Sequence, residues 1–312
     1  MRTVLTKSPL EAAAKLKLGG IVAFPTETVY GLGGDLFDAG AIQSIFEAKL
    51  RPPDNPLIAH IGEIEHVNLI ASEITSHAEK FIEAFFPGPL TILLQKAPRV
   101  PAIATAGLDT IGVRMPRHEL AHIFLQSCGF PVGAPSANLS GRPSPTTWEA
   151  VYDDLNGRID CILQGEMTEI GLESTVVDCT SDIPLVLRPG AISLEQLRSI
   201  APETQIYRIA ECEAARSPGQ RHKHYAPNAK VVLVGSDFRA LNAATSAFIG
   251  LQDPHLEFSR TKICRSVEEY AHSVFAFFRE CDARNIKTIY CVEVEEAGIG
   301  AALMDRLRRA AE

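Results

Sequence analysis

Short apolar runs that end at proline, glycine or a small polar residue are the feature that most constrains this fold. They are rich in β-branched residues and too short for helices, so they predict strands. In chain order the runs are IVAFPT (21–26), PLIAHI (56–61), TILLQ (91–95), IGVRM (111–115), VGAPS (132–136), CILQG (161–165), STVVD (174–178) and PLVLRPG (184–190). Helical patterns lie between them without strict alternation, which predicts an α/β fold with a twisted, mixed sheet.

The pattern breaks between residues 206 and 229, where periodicity is weak and prolines recur. We interpret this stretch as a linker that can act as a lid. Beyond it, strand-like runs such as KVVLVGS and KTIYCVEV alternate with predicted helices at 266–284 and 300–311. We therefore predict a first domain over 1–205, the linker over 206–229 and a small Rossmann-like α/β domain over 230–312.

Composition limits the possible partners. The net charge of −8 argues against nucleic-acid binding by the whole surface, although a local basic pocket remains possible. No apolar run is long enough to span a bilayer, and the first residues are too polar for a secretory signal. We expect a cytoplasmic protein with no membrane partner. The seven cysteines form no C-x-x-C pair, which is typical of reduced core thiols.

The sequence RHELAH at 117–122 contains the His-Glu-x-x-His spacing of zinc peptidases. On a helix over 118–128, Leu120, Ile123, Phe124 and Ser127 would form the core face, and both histidines would face solvent. Leu125 stands where the extended zinc motif requires glycine. We therefore expect no zinc, and a zinc peptidase remains only a minor alternative.

Most of the polar residues that fit neither core nor surface lie in predicted loops at the ends of strands. FPTETVYGLG (24–33) offers hydroxyl groups, with Gly31 and Gly33 allowing a close backbone approach. KLRPPDNPLIAH (49–60) holds two cations on a stiff loop, which suits a polyphosphate. Arg114 lies inside an apolar strand and must either be paired or bind an anion.

Further loops supply the same chemistry. APSANLSG and LEST carry small hydroxyl and amide groups, LRPG places Arg188 between apolar residues and proline, and SPGQRHKHYAP (217–227) is a basic run. Together they indicate a site for an anionic nucleotide and a small zwitterion. The sequence shows no paired carboxylates and no nucleophile–base pair for hydrolysis.

Taken together, these stretches resemble the Sua5/YrdC family of threonylcarbamoyl-AMP synthases. The motifs that carry the resemblance are FPTETVYGLG, KLRPPDNPLIAH, PGPLT, TAGLDTIGVRMP, APSANLSGRPSP, GLESTVVD, LRPG and SPGQRHKHYAP. They run through most of the first 200 residues and the linker. A second domain after HYAP indicates the longer, Sua5-type branch, with a YrdC-like domain first.

The resemblance implies a nucleotidyltransferase that converts L-threonine, bicarbonate and ATP, with Mg²⁺, into threonylcarbamoyl-AMP and pyrophosphate. Other proteins would then use this product to make t6A at position 37 of tRNA, so tRNA is a partner only indirectly. The resemblance also implies the site residues. Lys49 and Arg51 would be catalytic. The threonine pocket would comprise Thr28, His60, Arg114, Ser174 and Ala134. The ATP site would comprise Lys49, Arg51, Asn55, Ser136, Asn138, Arg188 and Tyr225.

Two alternatives stay open besides the peptidase. Related domains transfer carbamoyl groups through carbamoyl-adenylate, which keeps the fold and changes the substrate. An RNA-binding protein that uses a basic concave face is the other alternative, and the net charge of −8 weighs against it.

Overall fold

The computed structural model describes residues 2–207, 225–235 and 243–312. Its α-helices are α1 (Pro9–Lys17), α2 (Ala39–Lys49), α3 (Val67–Ile70), α4 (Ser76–Phe85), α5 (Glu119–Cys128), α6 (Trp148–Leu155), α7 (Leu194–Ile200), α8 (Val267–Ala283) and α9 (Ile299–Ala311). Its strands are β1 (Val4–Thr6), β2 (Val22–Phe24), β3 (Gly31–Asp35), β4 (Ile58–His60), β5 (Leu90–Gln95), β6 (Thr110–Arg114), β7 (Val132–Ala134), β8 (Cys161–Leu163), β9 (Thr175–Asp178), β10 (Leu185–Arg188), β11 (Gln205–Ile206), β12 (Lys230–Val234), β13 (Ala247–Gly250), β14 (Arg260–Ile263) and β15 (Thr288–Val292). Short 3₁₀ helices cover Ile64–His66, Ala102–Thr105 and Ala243–Thr245.

The first unit contains a large mixed sheet, which confirms the predicted fold class. Its strand order is β1-β8-β2-β3-β7-β4-β6-β5-β9-β10-β11. Parallel pairs such as β4 with β6 and β5 with β9 alternate with antiparallel pairs such as β5 with β6. The last strand, β11, pairs in parallel with β10 and reaches Ile206, the first residue of the predicted linker.

The second unit contains a smaller sheet in the order β12-β15-β13-β14. All three pairings are parallel, as a Rossmann-like arrangement requires. Helices α8 and α9 bury aromatic and aliphatic side chains against it, including Tyr270, Phe275, Phe278 and Leu303. The core cluster of this unit also contains Val29, Leu172 and Tyr225, so the apolar packing continues across the boundary between the two units.

Local signals in the sequence explain where several helices begin. Ser8 accepts a hydrogen bond from the Glu11 amide at the start of α1, and Pro9 occupies the first helical position. Ser266 caps α8 in the same way through the Glu269 amide. Ser193 begins α7 with a full capping box to Gln196. The boundaries of these helices therefore follow from short-range hydrogen bonds.

Two expectations about local structure are wrong. Gly31 and Gly33 lie in strand β3 and not in a loop. A Cβ on Gly33 would lie 2.5 Å from Val132 Cγ1, so this glycine permits close strand packing.

Helix α5 also differs from expectation. His118 is its N-cap in an extended conformation, and its Nδ1 accepts the Ala121 amide at 3.4 Å. The buried face comprises Ala121, Phe124, Leu125 and Cys128, whereas Ile123 is exposed. The helical wheel placed Ile123 and Ser127 inward, whereas tertiary packing turns the face with Ala121, Leu125 and Cys128 towards the core. The two histidines therefore do not share a helical face.

Other features of the sequence have the following structural outcome. The described cysteines are buried and free, and Cys212 lies outside the described residues. Burial raises the pKa of the Cys128 thiol to about 12.

None of the helices in the described ranges combines the length and apolar character needed to cross a bilayer. The basic stretch 221–224 of the predicted lid lies outside the described residues.

Candidate active site

A cleft opens on the large sheet beside the second unit and contains about 580 Å³ of empty space, part of it open to solvent. Nine of the predicted site residues line it: Thr28, Arg51, His60, Arg114, Ala134, Ser136, Ser174, Arg188 and Tyr225. Val29, Tyr30, Gly31, Ile58, Pro135 and Glu173 complete the lining. The sheet therefore brings together residues that are far apart in the sequence.

His60 and Arg114 are direct neighbours because β4 and β6 pair in parallel with these residues in register. His60 Nδ1 lies 3.1 Å from the Ile58 carbonyl oxygen. Since a carbonyl only accepts, Nδ1 carries the proton and Nε2 of the neutral ring is an acceptor. Burial and the charge of Arg114 lower the pKa of His60 to about 3. The ring is therefore neutral at physiological pH.

Arg114 is a buried cation with a carboxylate partner. Its Nη2 lies 2.7 Å from Glu27 Oε2, and both side chains are almost fully buried. Its Nη1 donates to Thr28 Oγ1 at 2.7 Å. A buried charge requires such pairing, and Glu27 supplies it from the loop between β2 and β3. Arg114 is thus held rigidly at the cleft wall.

Arg188 is the last residue of β10, which pairs with β9, and hydrogen bonds hold its side chain in place. Its Nε and Nη2 both donate to the Ser174 carbonyl oxygen, at 3.1 and 3.0 Å, and Nη2 also reaches Ser174 Oγ. The turn after β10 packs closely here, because a Cβ on Gly190 would lie 2.1 Å from the Thr175 amide nitrogen. Only glycine allows this approach, which explains the Arg-Pro-Gly sequence.

Arg51 follows α2 and reaches the cleft from the side. Its Nη2 donates to the carbonyl oxygens of Asn55 and Pro56, at 3.0 and 3.2 Å. Its Nε is buried and has no hydrogen-bond partner among the described residues. Burial lowers the pKa of Arg51 to about 10, so the group remains charged at neutral pH.

Three predicted site residues lie behind the cleft wall and do not line it. Lys49 is fully buried, and its Nζ donates to the carbonyl oxygens of Ser136 and Asn138, at 2.6 and 2.5 Å. The Asn138 amide donates to the Leu139 and Arg142 carbonyls and accepts from Ser136 Oγ. Asn55 is buried and presents its carbonyl to Arg51. In this geometry all three shape loops that carry lining residues.

Sequence reasoning missed several residues at the cleft. Glu173 lines it, accepts Ser144 Oγ at 2.5 Å and pairs with Arg306 Nε at 2.8 Å. The guanidinium carbon of Arg306 lies 5.3 Å from the centre of the Tyr225 ring, and that ring stacks on Phe275. The sequence does contain a signal for Arg306. It is a charged residue among Leu303, Met304 and Leu307 on the buried face of α9, so it needs a partner. Glu27 and Glu173 were overlooked between hydroxyl residues.

The donors at the cleft suit a cation that arrives with its ligand. Within the described ranges, no group of three or more His, Cys, Asp or Glu side chains could hold a metal ion. Magnesium is commonly held by substrate phosphates, water and at most one or two carboxylates. The two carboxylates closest to the cleft, Glu27 and Glu173, are each engaged by an arginine.

Comparisons with known proteins agree with this geometry. Residues 14–190 match the family model Sua5_yciO_yrdC, described as telomere recombination. Residues 192–312 match the family model described as the C-terminal domain of threonylcarbamoyl-AMP synthase. The chain belongs to the Sua5/YrdC family.

Members of the Sua5/YrdC family with curated names are similar over almost the whole chain. A threonylcarbamoyl-AMP synthase of Pyrococcus abyssi is 41% identical, with 96% of this chain and 92% of the relative covered. A Bacillus subtilis protein of the same name is 37% identical with the same coverage. The crystal structure of P. abyssi Sua5 complexed with L-threonine superposes with a TM-score of 0.91 at 38% identity, covering 99% of this chain and 97% of that one.

Proposed function

We propose that this chain is an enzyme, a threonylcarbamoyl-AMP synthase of the nucleotidyltransferase class. It would convert L-threonine, bicarbonate and ATP into threonylcarbamoyl-AMP and pyrophosphate. Two observations on the cleft support this most directly. Arg51 and Arg188 line it, and among the described residues their hydrogen-bond partners are carbonyl and hydroxyl oxygens, not carboxylates. Family membership supplies the substrate identities.

The two arginines suit the phosphates of ATP. Guanidinium groups recognise phosphate oxygens through paired hydrogen bonds, and burial strengthens this attraction. Arg51 has a buried Nε that is not used by other described residues, so a phosphate oxygen can take it. Ser136 and Tyr225 would contact the nucleotide from the neighbouring walls, while Lys49, Asn55 and Asn138 would act by holding the loops.

A second set of lining residues suits a small amino acid. Thr28, His60, Ser174 and Ala134 offer hydroxyl groups, one neutral acceptor and a small apolar surface. The crystal structure of P. abyssi Sua5 contains L-threonine as a ligand of that relative. Arg114 would bind the threonine carboxylate while it remains anchored to Glu27. Neutral His60 Nε2 would accept a hydrogen bond from the threonine ammonium or hydroxyl group.

The reaction requires positioning more than proton transfer. Bicarbonate yields CO2 and hydroxide, and the neutral amine of threonine attacks the carbon of CO2. The nitrogen then loses a proton, which forms water with the hydroxide, and a carbamate results. The carbamate oxygen then attacks the α-phosphorus of ATP, and pyrophosphate leaves. Rigid cations that are already in place stabilise the developing charge without rearranging. ATP would enter as its magnesium complex, with the ion bound to the phosphates.

The product would pass to threonylcarbamoyl transferase proteins that modify tRNA, so contact with tRNA would be indirect. We expect this to happen in the cytoplasm, without a membrane partner.

The experiment that tests this proposal measures pyrophosphate release from magnesium-ATP, with threonine and bicarbonate each present or omitted. We expect release only when both are present. Release without threonine would indicate the carbamoyl-adenylate reaction instead. If folded protein releases no pyrophosphate in any mixture, the proposal is wrong and the RNA-binding alternative is favoured.

A further inference from the structure

One side chain of the second unit reaches the wall of the cleft. Arg306 belongs to α9, and only 1% of its side chain is exposed. It touches three separate segments that line the cleft or adjoin a lining residue. Its Nε pairs with Glu173, its Nη2 donates to the Pro189 carbonyl at 3.1 Å, and its guanidinium faces the Tyr225 ring.

The central contact is the one with Glu173. This carboxylate lies in the same cleft wall as Ser174 and Arg188. Burial alone would raise the pKa of Glu173, but the charges of Arg306 and Arg188 and the bonds from Arg306 and Ser144 hold it below its ordinary value. A buried carboxylate without a partner would seek the nearest cation. Besides Arg306, the cation whose charge acts on Glu173 is Arg188, which lines the same cleft.

The backbone conformation of Tyr225 is a second observation that links the second unit to the cleft wall. Its φ of 67° lies in the left-handed region, which is unfavourable for a residue with a bulky side chain. Such a conformation persists when the surroundings over-determine it. Phe275 stacks on one part of the ring at 5.5 Å and Arg306 faces it at 5.3 Å, and both belong to the second unit.

We propose that Arg306 is a positioning residue that engages Glu173 and thereby leaves the charge of Arg188 available to the anionic ligand. The second unit is then a working part of the cleft wall and not only an anchor for the linker. This inference rests on the proposed function only in naming ATP as the anion. It goes further because it assigns a role to a residue outside the first unit.

The test compares ATP dissociation constants, measured by titration calorimetry with magnesium present, for variants of the whole chain. Arg306→Gln should weaken ATP binding by about tenfold, because Glu173 then competes for Arg188. Arg306→Lys keeps the charge but cannot bond to Glu173 and the Pro189 carbonyl through separate nitrogens as Arg306 does, so it should lie between wild type and Arg306→Gln.

The decisive variant is the double substitution Glu173→Gln with Arg306→Gln. Removing the competing carboxylate should restore much of the lost ATP affinity, a non-additive result that damage to folding cannot produce. If the double variant binds ATP as weakly as Arg306→Gln, or if Arg306→Gln binds like wild type, the proposal is wrong.

Two matched controls come from the same unit. Arg308→Gln changes an exposed arginine of the same helix that pairs with Glu296, outside the cleft. Arg279→Gln breaks a second ion pair between the units, with Asp154, and neither residue lines the cleft. Both should keep the wild-type dissociation constant. Because the comparison uses binding, absence of turnover in wild type would count against the proposed function and not against this inference.

Discussion

In the first unit, buried charged side chains surround the cleft, whereas the described core of the second unit is aromatic and aliphatic and buries one charged residue, Arg306. The guanidinium group of Arg306 contacts Glu173 of the first unit. The second unit thus has the composition expected of a stable core. The first unit keeps buried charges such as Arg114 and Arg188.

This difference indicates where stability and function lie. Buried ion pairs are often no more stabilising than apolar residues of the same size, because desolvation offsets their attraction. We therefore interpret the buried charges that line the cleft of the first unit as ligand-binding groups. Apolar residues of the second unit are explained by packing. Substitutions in the two units should consequently affect different measurements, and the following predictions test this separation.

The largest effect is expected for Arg51→Ala. Loss of a preorganised cation that faces the phosphates should lower pyrophosphate release by about 10³-fold. The thermal midpoint should change little, because Arg51 bonds only to nearby carbonyls of its own loop. Arg99→Ala is the matched control, since Arg51 lies over the Phe46 ring and Arg99 over the Phe37 ring, but Arg99 is exposed on the surface. A fully active Arg51→Ala protein would contradict the assignment.

Next comes Leu307→Ala in the second unit. Leu307 is fully buried in the apolar cluster, so its truncation should lower the free energy of unfolding by about 3 kcal/mol. Denaturant unfolding measures this loss. Under conditions where the variant is folded, its KM for ATP should equal that of wild type. A raised KM would show that packing alone, and not Arg306, transmits the influence of this unit.

Lys49→Met distinguishes two roles of Lys49: holding the loops of the cleft wall in place, or contacting the substrate directly. The substitution leaves the buried carbonyls of Ser136 and Asn138 without their donor, which should lower the free energy of unfolding by about 2 kcal/mol. Activity should fall with it, because the Ser136 loop shifts. A variant that is as stable as wild type yet inactive would instead place the Lys49 ammonium on the substrate.

The smallest effect concerns His60 and pH. Its pKa is about 3 in the folded protein and about 6.5 when unfolded. Between these values the unfolded chain binds a proton that the folded chain does not. The contribution of His60 to stability is therefore full above pH 6.5 and is lost as the pH falls towards 3.

His60→Gln removes this dependence. Between pH 4.5 and 6, the slope of the free energy of unfolding against pH should decrease by about 1.4 kcal/mol per pH unit relative to wild type. Denaturant titrations at several pH values measure the slope. An unchanged slope would mean that His60 is not buried as a neutral ring.

Much of the fold could be predicted from the sequence because its signals are local. Proline, glycine and capping serines mark the ends of strands and helices within a few residues. Strand β3 was missed because GLGGD lacks the β-branched residues that identify strands, and it forms only because Val132 and Phe24 pack against it. Tertiary packing overrides propensity there.

The site was predictable to the extent that its chemistry is carried by single residues. Arg114 was correctly interpreted as a buried cation that needs a partner, but the partner Glu27 lies 87 positions earlier in the chain, in the loop between β2 and β3, and only tertiary folding brings the two together. The same reason hid the pairing of Glu173 with Arg306. Family resemblance named nine residues that line the cleft. It also named Lys49, whose ammonium group donates to the Ser136 and Asn138 carbonyls, and its role as a substrate contact stays a prediction.

The most direct test of the account is the mass of the nucleotide product made from ATP, L-threonine and ¹³C-bicarbonate. The account predicts an AMP adduct that contains one threonine and one ¹³C atom, formed in equal amount with pyrophosphate. It also predicts that Arg51→Ala makes almost none of it. An adduct that carries ¹³C but no threonine, or AMP without any adduct, would contradict the central claim.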